Sequence, residues 1–397
     1  MLRGRRPSRR QNLWLSATLL LAVLGATGLV WLQPASPDAF YHPPPDLASR
    51  AAGEVLRVEP FERGLPAGVE GWRVLYRSTD ADGRPLAVSG LVLEPSEPSA
   101  DGHRPLIAIA HGSTGVAEEC APSLSARPLA SLPAVEEALA AGFAVAASDL
   151  PGLGTPGPHP YLIGATSAHA VLDSARAAAE LLASAPDQLA LWGFSQGGHA
   201  ALFAGELAPT YAPELGLEGI VTFAPATDLE RILEDSHGTV FGTLLVVNAA
   251  VAWSEANDGL ELEDVIAPDS VDTARDVAGR CLDGTSLPVS TIQSIRLRDA
   301  VTPLDAPTAA AWQPVLAANT PTGRLTVPLL VFQGAADPFI DPAITEAHVA
   351  DRCAAGDEVE LRMVPGAEHF TLTWRVADDA VRWTQDRFDG LPVAVAC

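Results

Sequence analysis

Residues 193–197 form the pattern G-x-S-x-G, with glycines two positions before and two positions after Ser195. The apolar stretch Gln188–Trp192 precedes the pattern, and the helical stretch Gly198–Leu207 follows it. A sharp turn from a strand into a helix exposes such a serine at the end of a sheet, and flanking glycines lack the Cβ atoms that would clash there. The pattern therefore predicts that Ser195 is a nucleophile.

A serine hydroxyl is a poor nucleophile unless a base lies beside it. The chain contains no lysine, so a Ser–Lys pair is excluded and a histidine is the expected base. His369 lies in a loop after Val359–Val364, the last strand-like stretch of the chain. A loop in that position brings its side chain to the edge where strand ends meet, and His369 is therefore the candidate base.

A carboxylate is expected to hold the imidazole in its correct tautomer and to stabilise its charged form. Asp337 is the candidate, because it follows the apolar stretch Val327–Phe332 after a short turn. Asp341 and Asp228 are the alternatives, since each also lies after a strand-like stretch.

The loop His111-Gly112-Ser113-Thr114-Gly115 follows the strand-like stretch Pro105–Ala110. A tetrahedral oxyanion needs one N–H group from such a loop and one from the residue after the nucleophile. Ser113 and Gln196 are the predicted donors, with Thr114 as the alternative to Ser113.

Two further histidines and one further loop lie near these motifs. His111 and His199 are expected to form structural hydrogen bonds rather than to transfer protons. The loop Asp149–Gly154 follows the strand-like stretch Phe143–Ala147 and is expected to line the wall of the pocket.

Short apolar stretches alternate with helical stretches from residue 105 onwards, which predicts a mostly parallel sheet covered by helices on both faces. Before them, Gly71–Ser78 and Leu86–Glu94 flank the turn-forming residues 80–83 and predict a hairpin. Residues 225–326 lack strand patterns and are too long for a simple connection, so they predict an inserted cap. Within it, the apolar stretch Val240–Ala252 either packs the cap onto the sheet or lines an acyl tunnel above Ser195.

The N-terminal residues 1–32 have five arginines among the first ten, followed by an uncharged stretch at residues 13–32. This layout predicts a signal peptide or an N-terminal membrane anchor, with residues 13–32 in contact with the membrane and the body outside the cytoplasm. Residues 33–70 are interpreted as a linker and N-terminal extension, and residues 71–390 as the main domain. The net charge of −24 argues against nucleic-acid binding.

The four cysteines are Cys120, Cys281, Cys353 and Cys397, and none belongs to a C-x-x-C pair. An even number of cysteines in an exported chain predicts two disulfides, for which three pairings exist. No metal-ligand spacing, dinucleotide fingerprint or phosphate loop is present, and the expected mechanism needs no metal and no cofactor.

Together the strings HGSTG, CAPS, DLPGLG, GFSQGG, FAPATDL and GAADP resemble the secretory lipase family over residues 71–388. The resemblance implies an α/β-hydrolase fold with a large cap, in which the catalytic residues follow the order Ser195, Asp337, His369. It also implies lipase or carboxylesterase activity on fatty acyl esters. The disulfides implied by the resemblance are Cys120–Cys281 and Cys353–Cys397.

The function predicted from the sequence is hydrolysis of carboxylic esters through an acyl-enzyme on Ser195. A serine peptidase or amidase on the same fold is the first alternative. A binding protein that retains the scaffold without catalysis is the second.

Overall fold

The computed structural model describes residues 35–99, 102–182, 186–282, 287–303 and 306–393. Its strands are β1 (Val55–Pro60), β2 (Val69–Thr79), β3 (Pro85–Pro95), β4 (Leu106–Ala110), β5 (Ala144–Ser148), β6 (Leu189–Phe194), β7 (Leu217–Phe223), β8 (Leu329–Gly334) and β9 (Val359–Val364). They form one nine-stranded sheet in the order β1-β2-β3-β5-β4-β6-β7-β8-β9. The neighbours from β5 to β9 in this order are parallel, whereas β1, β2, β3 and β5 pair antiparallel.

Helices connect and cover the strands. They are α1 (Val135–Ala140), α2 (Gly164–Leu181), α3 (Gln196–Tyr211), α4 (Leu229–Ser236), α5 (Val240–Ala256), α6 (Val271–Ala278), α7 (Leu287–Leu297), α8 (Gln313–Ala318), α9 (Pro342–Ala355) and α10 (His369–Phe388). The mostly parallel, helix-covered sheet that the sequence predicts is confirmed.

Strand β4 shows why the sheet is covered on both sides. Leu106 and Ala108 belong to a core that includes residues of α2 and α3, whereas Ile107 and Ile109 belong to a core with residues of α1 and α10. Successive side chains of a strand point to opposite faces, so a continuous apolar strand requires an apolar layer on each side. This burial holds the carboxyl ends of the parallel strands, and the loops that follow them, at one fixed edge.

The predicted hairpin is present, and the sheet extends further towards the N-terminus than predicted. β2 and β3 pair from Val69↔Pro95 to Thr79↔Pro85, and Asp80 accepts hydrogen bonds that close the turn between them. β1 lies within the segment predicted as a linker and extension, but it pairs with β2. The run VLRVEP was not recognised as a strand from the sequence, because it is only 6 residues long.

The segment between β7 and β8, residues 224–328, is termed the inter-strand segment. In its described residues, helices α4 to α8 occur without a strand, apart from a single bridge between Ile266 and Val301. α5 packs against α6 and α7, and its Val247 and Trp253 lie in an apolar core formed mostly by this segment, with Tyr161, Leu162, Ile340 and Ile344 from outside it. The segment is therefore a compact helical layer rather than a long loop.

Within the described residues, no helix is long and apolar enough to span a lipid bilayer. Residues 13–32, for which the sequence predicts a signal or anchor, lie outside the described residues.

Candidate active site

Ser195 occupies the turn between β6 and α3 with a backbone φ of 54° and ψ of −114°. A non-glycine residue at positive φ is strained, and such strain persists only where the surroundings enforce it. A Cβ atom at Gly193 would lie 2.0 Å from the carbonyl oxygen of Gly197, and one at Gly197 would lie 2.0 Å from that of Ala110. Neither glycine has room for a side chain, so both are required for this turn.

The backbone of Ser195 is fixed by three hydrogen bonds. Its N–H donates to the carbonyl of Phe223 at 2.9 Å, and its carbonyl accepts from the N–H groups of His199 and Ala226. The His199 ring donates to the carbonyl of Asn319 at 2.7 Å, and burial lowers its pKa to about 4. His199 is thus a buried structural histidine, in line with the sequence interpretation.

His369 is the first residue of α10, and its ring is paired with Asp337. The two atoms Nδ1 of His369 and Oδ2 of Asp337 are 2.7 Å apart, and both side chains are buried. A donor on Nδ1 leaves Nε2 of the neutral ring free to accept a proton. The structure therefore brings together two residues that follow the carboxyl ends of the neighbouring parallel strands β8 and β9.

Asp337 is held by its own loop. Its Oδ1 accepts from the backbone N–H groups of Phe339 at 2.9 Å and Ile340 at 3.0 Å. Hydrogen bonds of this kind hold the carboxylate in one orientation and fix the direction of the other oxygen. Oδ2 therefore stays aimed at the imidazole.

The two alternative carboxylates have other roles. Asp341 caps α9 and accepts from the N–H of Ala343, and Asp228 caps α4 and accepts from the N–H of Arg231. A side chain that caps a helix satisfies a backbone donor that would otherwise have no partner. Neither of them hydrogen-bonds His369.

Gln333 is a contributor that the sequence interpretation missed. Its amide nitrogen lies 3.1 Å from the carbonyl oxygen of Ile340 and 3.4 Å from Oδ2 of Asp337, and its amide oxygen accepts from Thr345 at 2.8 Å. Gln333 thereby ties the Asp337 loop to β8 and α9. A polar residue within the buried stretch VPLLVFQG was the available signal.

Aromatic rings surround the imidazole of His369. The ring centres of Phe194, Phe370 and Phe339 lie 4.8, 5.3 and 5.4 Å from that of His369. Such packing restricts the rotation of the histidine and reduces the access of water. None of these phenylalanines was predicted as a site residue.

Ser113 and Gln196 both line the same cavity as Ser195 and His369. Their backbone N–H groups, and that of Thr114, have no hydrogen-bond acceptor among the described residues. Unpaired N–H groups beside a cavity are available to a ligand, since buried backbone donors are otherwise almost always satisfied. The N–H of Gln196 also lies at the N-terminus of α3, where partial positive charge concentrates.

The loop after β5 does not line the cavity, so that sequence prediction was wrong. Asp149 is buried and accepts hydrogen bonds from the hydroxyls of Ser89 and Ser123, both at or under 2.7 Å. Nε2 of His111 lies 2.9 Å from the carbonyl oxygen of Asp149, which gives His111 the bracing role expected of it. Tyr161 and Leu162, later in the same connection, form the wall instead.

The cavity has a volume of about 590 Å³ and is mostly apolar. Its lining combines residues around the sheet edge with residues of α4, α5 and α7; from the inter-strand segment it includes Leu229, Ile232, Leu233, Val240, Phe241, Leu244, Leu245, Leu287 and Thr291. Ligand sites of small molecules are mostly of this size and character. The inter-strand segment therefore completes the wall of the cavity that contains Ser195.

Cys120 and Cys281 form a disulfide, as the family resemblance implies. Cys120 lies after the loop 111–115 and also lines the cavity, whereas Cys281 follows α6 in the inter-strand segment. The disulfide therefore joins the chain after β4 to the inter-strand segment beside the cavity. Cys397 lies outside the described residues, so the pairing Cys353–Cys397 stays a prediction.

The sheet order and the strained serine turn between β6 and α3 define an α/β-hydrolase fold. Among solved structures, lipase A of Candida antarctica in its closed state has a TM-score of 0.75 at 22% identity, covering 90% of this chain and 87% of that one. A ligand-bound form of the rice cell wall degrading esterase LipA from Xanthomonas oryzae has a TM-score of 0.70 at 20% identity, covering 86% and 100%.

The sequence profile of the secretory lipase family matches residues 130–395, and the chain belongs to that family. A probable inactive lipase of Mycobacterium tuberculosis is 30% identical, covering 93% of this chain and 89% of that protein. Lipase 5 of Candida albicans is 25% identical, covering 93% of this chain and 84% of its own.

Proposed function

We propose that this protein hydrolyses carboxylic esters, with Ser195 as nucleophile, His369 as general base and Asp337 as the carboxylate that orients it. The observation that carries the proposal is the hydrogen bond of 2.7 Å between His369 and Asp337. His369 lines the same cavity as Ser195, so the paired imidazole and the serine share one site. An imidazole, a carboxylate and a serine at a cavity wall are the parts that acyl transfer requires.

In the first half of the proposed reaction, Oγ of Ser195 attacks the ester carbonyl carbon while its proton passes to Nε2 of His369. The carbonyl oxygen becomes an oxyanion, which the N–H groups of Ser113 and Gln196 stabilise. The intermediate then collapses: the carbon–oxygen bond to the alcohol breaks, and His369 returns its proton to that oxygen. The alcohol leaves and the acyl group stays on Ser195.

In the second half, water attacks the acyl-enzyme, and His369 takes one of its protons. Collapse of the second intermediate releases the acid and returns the proton to Ser195. Every proton is accounted for by one histidine, and the proposed reaction needs no metal and no cofactor.

The apolar cavity supports a fatty acyl ester as the substrate. Each buried methylene group of an acyl chain contributes roughly 0.8 kcal/mol of binding free energy. The cavity of about 590 Å³ has apolar side chains from the inter-strand segment along one side, and we infer that this segment is the cap that encloses the acyl chain.

One relative is described as a probable inactive lipase, so a protein without catalysis is the alternative to test. The intact Ser195, His369 and Asp337, with unpaired N–H groups beside them, support an active enzyme. A fluorophosphonate probe labels a serine only when it is activated, so labelling of the wild type and not of Ser195→Ala is the expected result. An unlabelled wild-type protein would favour the binding-protein alternative.

Comparison of p-nitrophenyl butyrate with an aminoacyl anilide separates an esterase from a peptidase. We expect hydrolysis of the ester and little turnover of the anilide. Among the described residues that line the cavity, Arg127 is the single arginine and no carboxylate is present, which gives little to bind the charged ends of a peptide.

We further propose that the chain is exported, with residues 1–32 as a signal peptide or membrane anchor. The membership in a family described as secretory supports this proposal. N-terminal sequencing of the protein recovered from culture supernatant and from membranes distinguishes the cleaved form from the anchored form.

A further inference from the structure

The short segment His159-Pro160-Tyr161, which precedes α2, contacts the side chains of both proposed oxyanion donors. Nε2 of His159 lies 3.0 Å from the amide nitrogen of Gln196. The hydroxyl of Tyr161 lies 2.7 Å from the hydroxyl of Ser113. Two residues of one tight segment thus reach two residues that come from different strand ends, β6 and β4.

The protonation of His159 follows from its partners. Its Nδ1 lies 2.7 Å from the carbonyl oxygen of Pro151, which only accepts, so Nδ1 carries the hydrogen. Nε2 then accepts from the amide of Gln196. Burial lowers the pKa of His159 to about 4, so the ring is neutral near pH 7 and this arrangement is maintained.

The segment is rigid. The N–H of Tyr161 donates to the carbonyl of His159 at 2.8 Å, and that of Ile163 donates to the carbonyl of Pro160 at 3.0 Å. Leu162 has a φ of 56°, a strained value for a leucine, which persists only where the surrounding structure enforces it.

The segment is supported from two sides. On one side, Gly152 lies against the backbone of His159. A Cβ atom added to Gly152 would lie 2.6 Å from the α-carbon of His159. On the other side, the indole N–H of Trp253, on α5, donates to the carbonyl of Tyr161 at 2.5 Å. The sheet edge and the inter-strand segment therefore both hold it in place.

We propose that His159 and Tyr161 are positioning residues that hold Gln196 and Ser113 and so set the separation of the two N–H groups that receive the oxyanion. In this role, each residue acts through the side chain of a donor residue. This inference rests on the proposed ester hydrolysis.

The position of the donors matters because oxyanion stabilisation depends on geometry at the transition state. Removal of one such donor lowers kcat by about 10²–10³. A displacement of about 1 Å in an active site lowers the rate by up to about 10². Loss of an anchor should therefore reduce kcat by roughly ten- to a hundredfold and leave KM nearly unchanged.

The Tyr161–Ser113 contact is tested from both ends. Tyr161→Phe keeps the ring and removes the hydroxyl, whereas Ser113→Ala removes the other hydroxyl and keeps the backbone N–H. We expect each variant to lose kcat on p-nitrophenyl butyrate and to bind a trifluoromethyl ketone, which forms an oxyanion on the serine, more weakly by a similar factor. The double variant should be no worse than Ser113→Ala alone, because both changes delete one interaction.

The His159–Gln196 contact is tested with a conservative pair. His159→Leu removes both hydrogen bonds, while His159→Gln offers an amide N–H to the carbonyl of Pro151 and an amide oxygen to Gln196. We expect His159→Gln to recover part of the kcat that His159→Leu loses. Thermal melting of every variant measures stability separately from kcat.

The positioning role and the proposed ester hydrolysis would be contradicted by different results. Wild-type kcat in folded Tyr161→Phe and Ser113→Ala, fully additive losses, or a lower melting temperature with unchanged kcat would each overturn the positioning role. If Tyr161→Phe does not fold, Ser113→Ala carries the same test. A wild-type protein without esterase activity, or an active Ser195→Ala variant, would instead remove the proposed function itself, and the positioning role with it.

Discussion

Leu244 and Val247 lie three residues apart on α5, yet Leu244 forms part of the cavity wall and Val247 does not. Val247 is fully buried in the core of the inter-strand segment. The sequence interpretation left open whether this apolar helix packs the cap onto the sheet or lines an acyl tunnel, and the acyl tunnel stays a proposal. Leu244 is buried in the same core, so the pair compares a residue that also lines the cavity with one that has only the core contact.

Leu244→Asp is expected to lower kcat/KM for p-nitrophenyl laurate at least tenfold more than for the butyrate. A charge in the wall of an acyl site opposes burial of methylene groups, each worth roughly 0.8 kcal/mol. Val247→Asp should instead lower the melting temperature strongly and reduce both activities alike, because it buries an unpaired charge. Equal losses on both esters in a stable Leu244→Asp variant would contradict an acyl site at this position.

Ser195→Ala is expected to lower kcat for ester hydrolysis by about 10⁴ or more, as is usual when the nucleophile of a triad is removed. The melting temperature should stay close to that of the wild type, because the change removes only a hydroxyl that faces the cavity. A purified Ser195→Ala protein with normal activity would place the nucleophile elsewhere.

Gly197→Ala is expected to prevent folding or to destabilise the protein by more than about 3 kcal/mol. The new Cβ would lie 2.0 Å from the carbonyl oxygen of Ala110, and neither backbone can yield without breaking the sheet. Gly83→Ala is the control: its φ is 83° and no atom lies within 4 Å of the added carbon. That variant carries the conformational strain alone, about 1–2 kcal/mol, as urea unfolding would show.

Gly193 and Gly197 show which features of the site could be predicted from the sequence alone. The G-x-S-x-G pattern predicts a turn because its requirement is local: two positions without side chains, a strand before and a helix after. The positions of Asp337 and His369 were also predictable, because the loops after parallel strands meet at one edge of the sheet. In each case a short stretch of chain determines the geometry.

The contacts of Gln333, His159 and Tyr161 were not predictable in this way. Each depends on a partner that is distant along the chain, as with Tyr161 and Ser113, and no periodic pattern records such a pair. The N-terminal strand β1 was missed for a related reason, since its pairing with β2 stabilises a run too short to be recognised alone.

The free energy of unfolding is expected to depend on pH through His199. Its pKa is lowered by burial to about 4 in the folded state, against about 6.5 when unfolded. Between these values the unfolded chain binds a proton that the folded chain does not, so this histidine's contribution falls as the pH decreases from 6.5 to 4.

Urea unfolding at pH 7 and pH 4.5 measures this contribution by difference. His199→Asn should lose less stability between the two pH values than the wild type loses. His42→Asn provides the matched substitution at an exposed histidine. Parallel curves for the wild type and His199→Asn would rule out the proposed proton linkage, whatever other groups titrate in this range.

The disulfide between Cys120 and Cys281 closes a loop with a sequence separation of 161. In the chain-entropy description such a loop contributes about 5 kcal/mol. The double variant Cys120→Ser/Cys281→Ser should therefore melt at a clearly lower temperature. Peptide mapping without reductant should recover this pair and also Cys353–Cys397; a crossed pairing would contradict both.

The same sequence separation affects how the protein matures. At about 5–20 residues per second, synthesis reaches Cys281 roughly 8 to 32 seconds after Cys120. Throughout that interval Cys120 is the only cysteine of the growing chain, so an oxidant that acts early can join its thiol only to another molecule. Correct maturation then requires either that oxidation wait until the chain is complete or that an isomerase repair the early bonds.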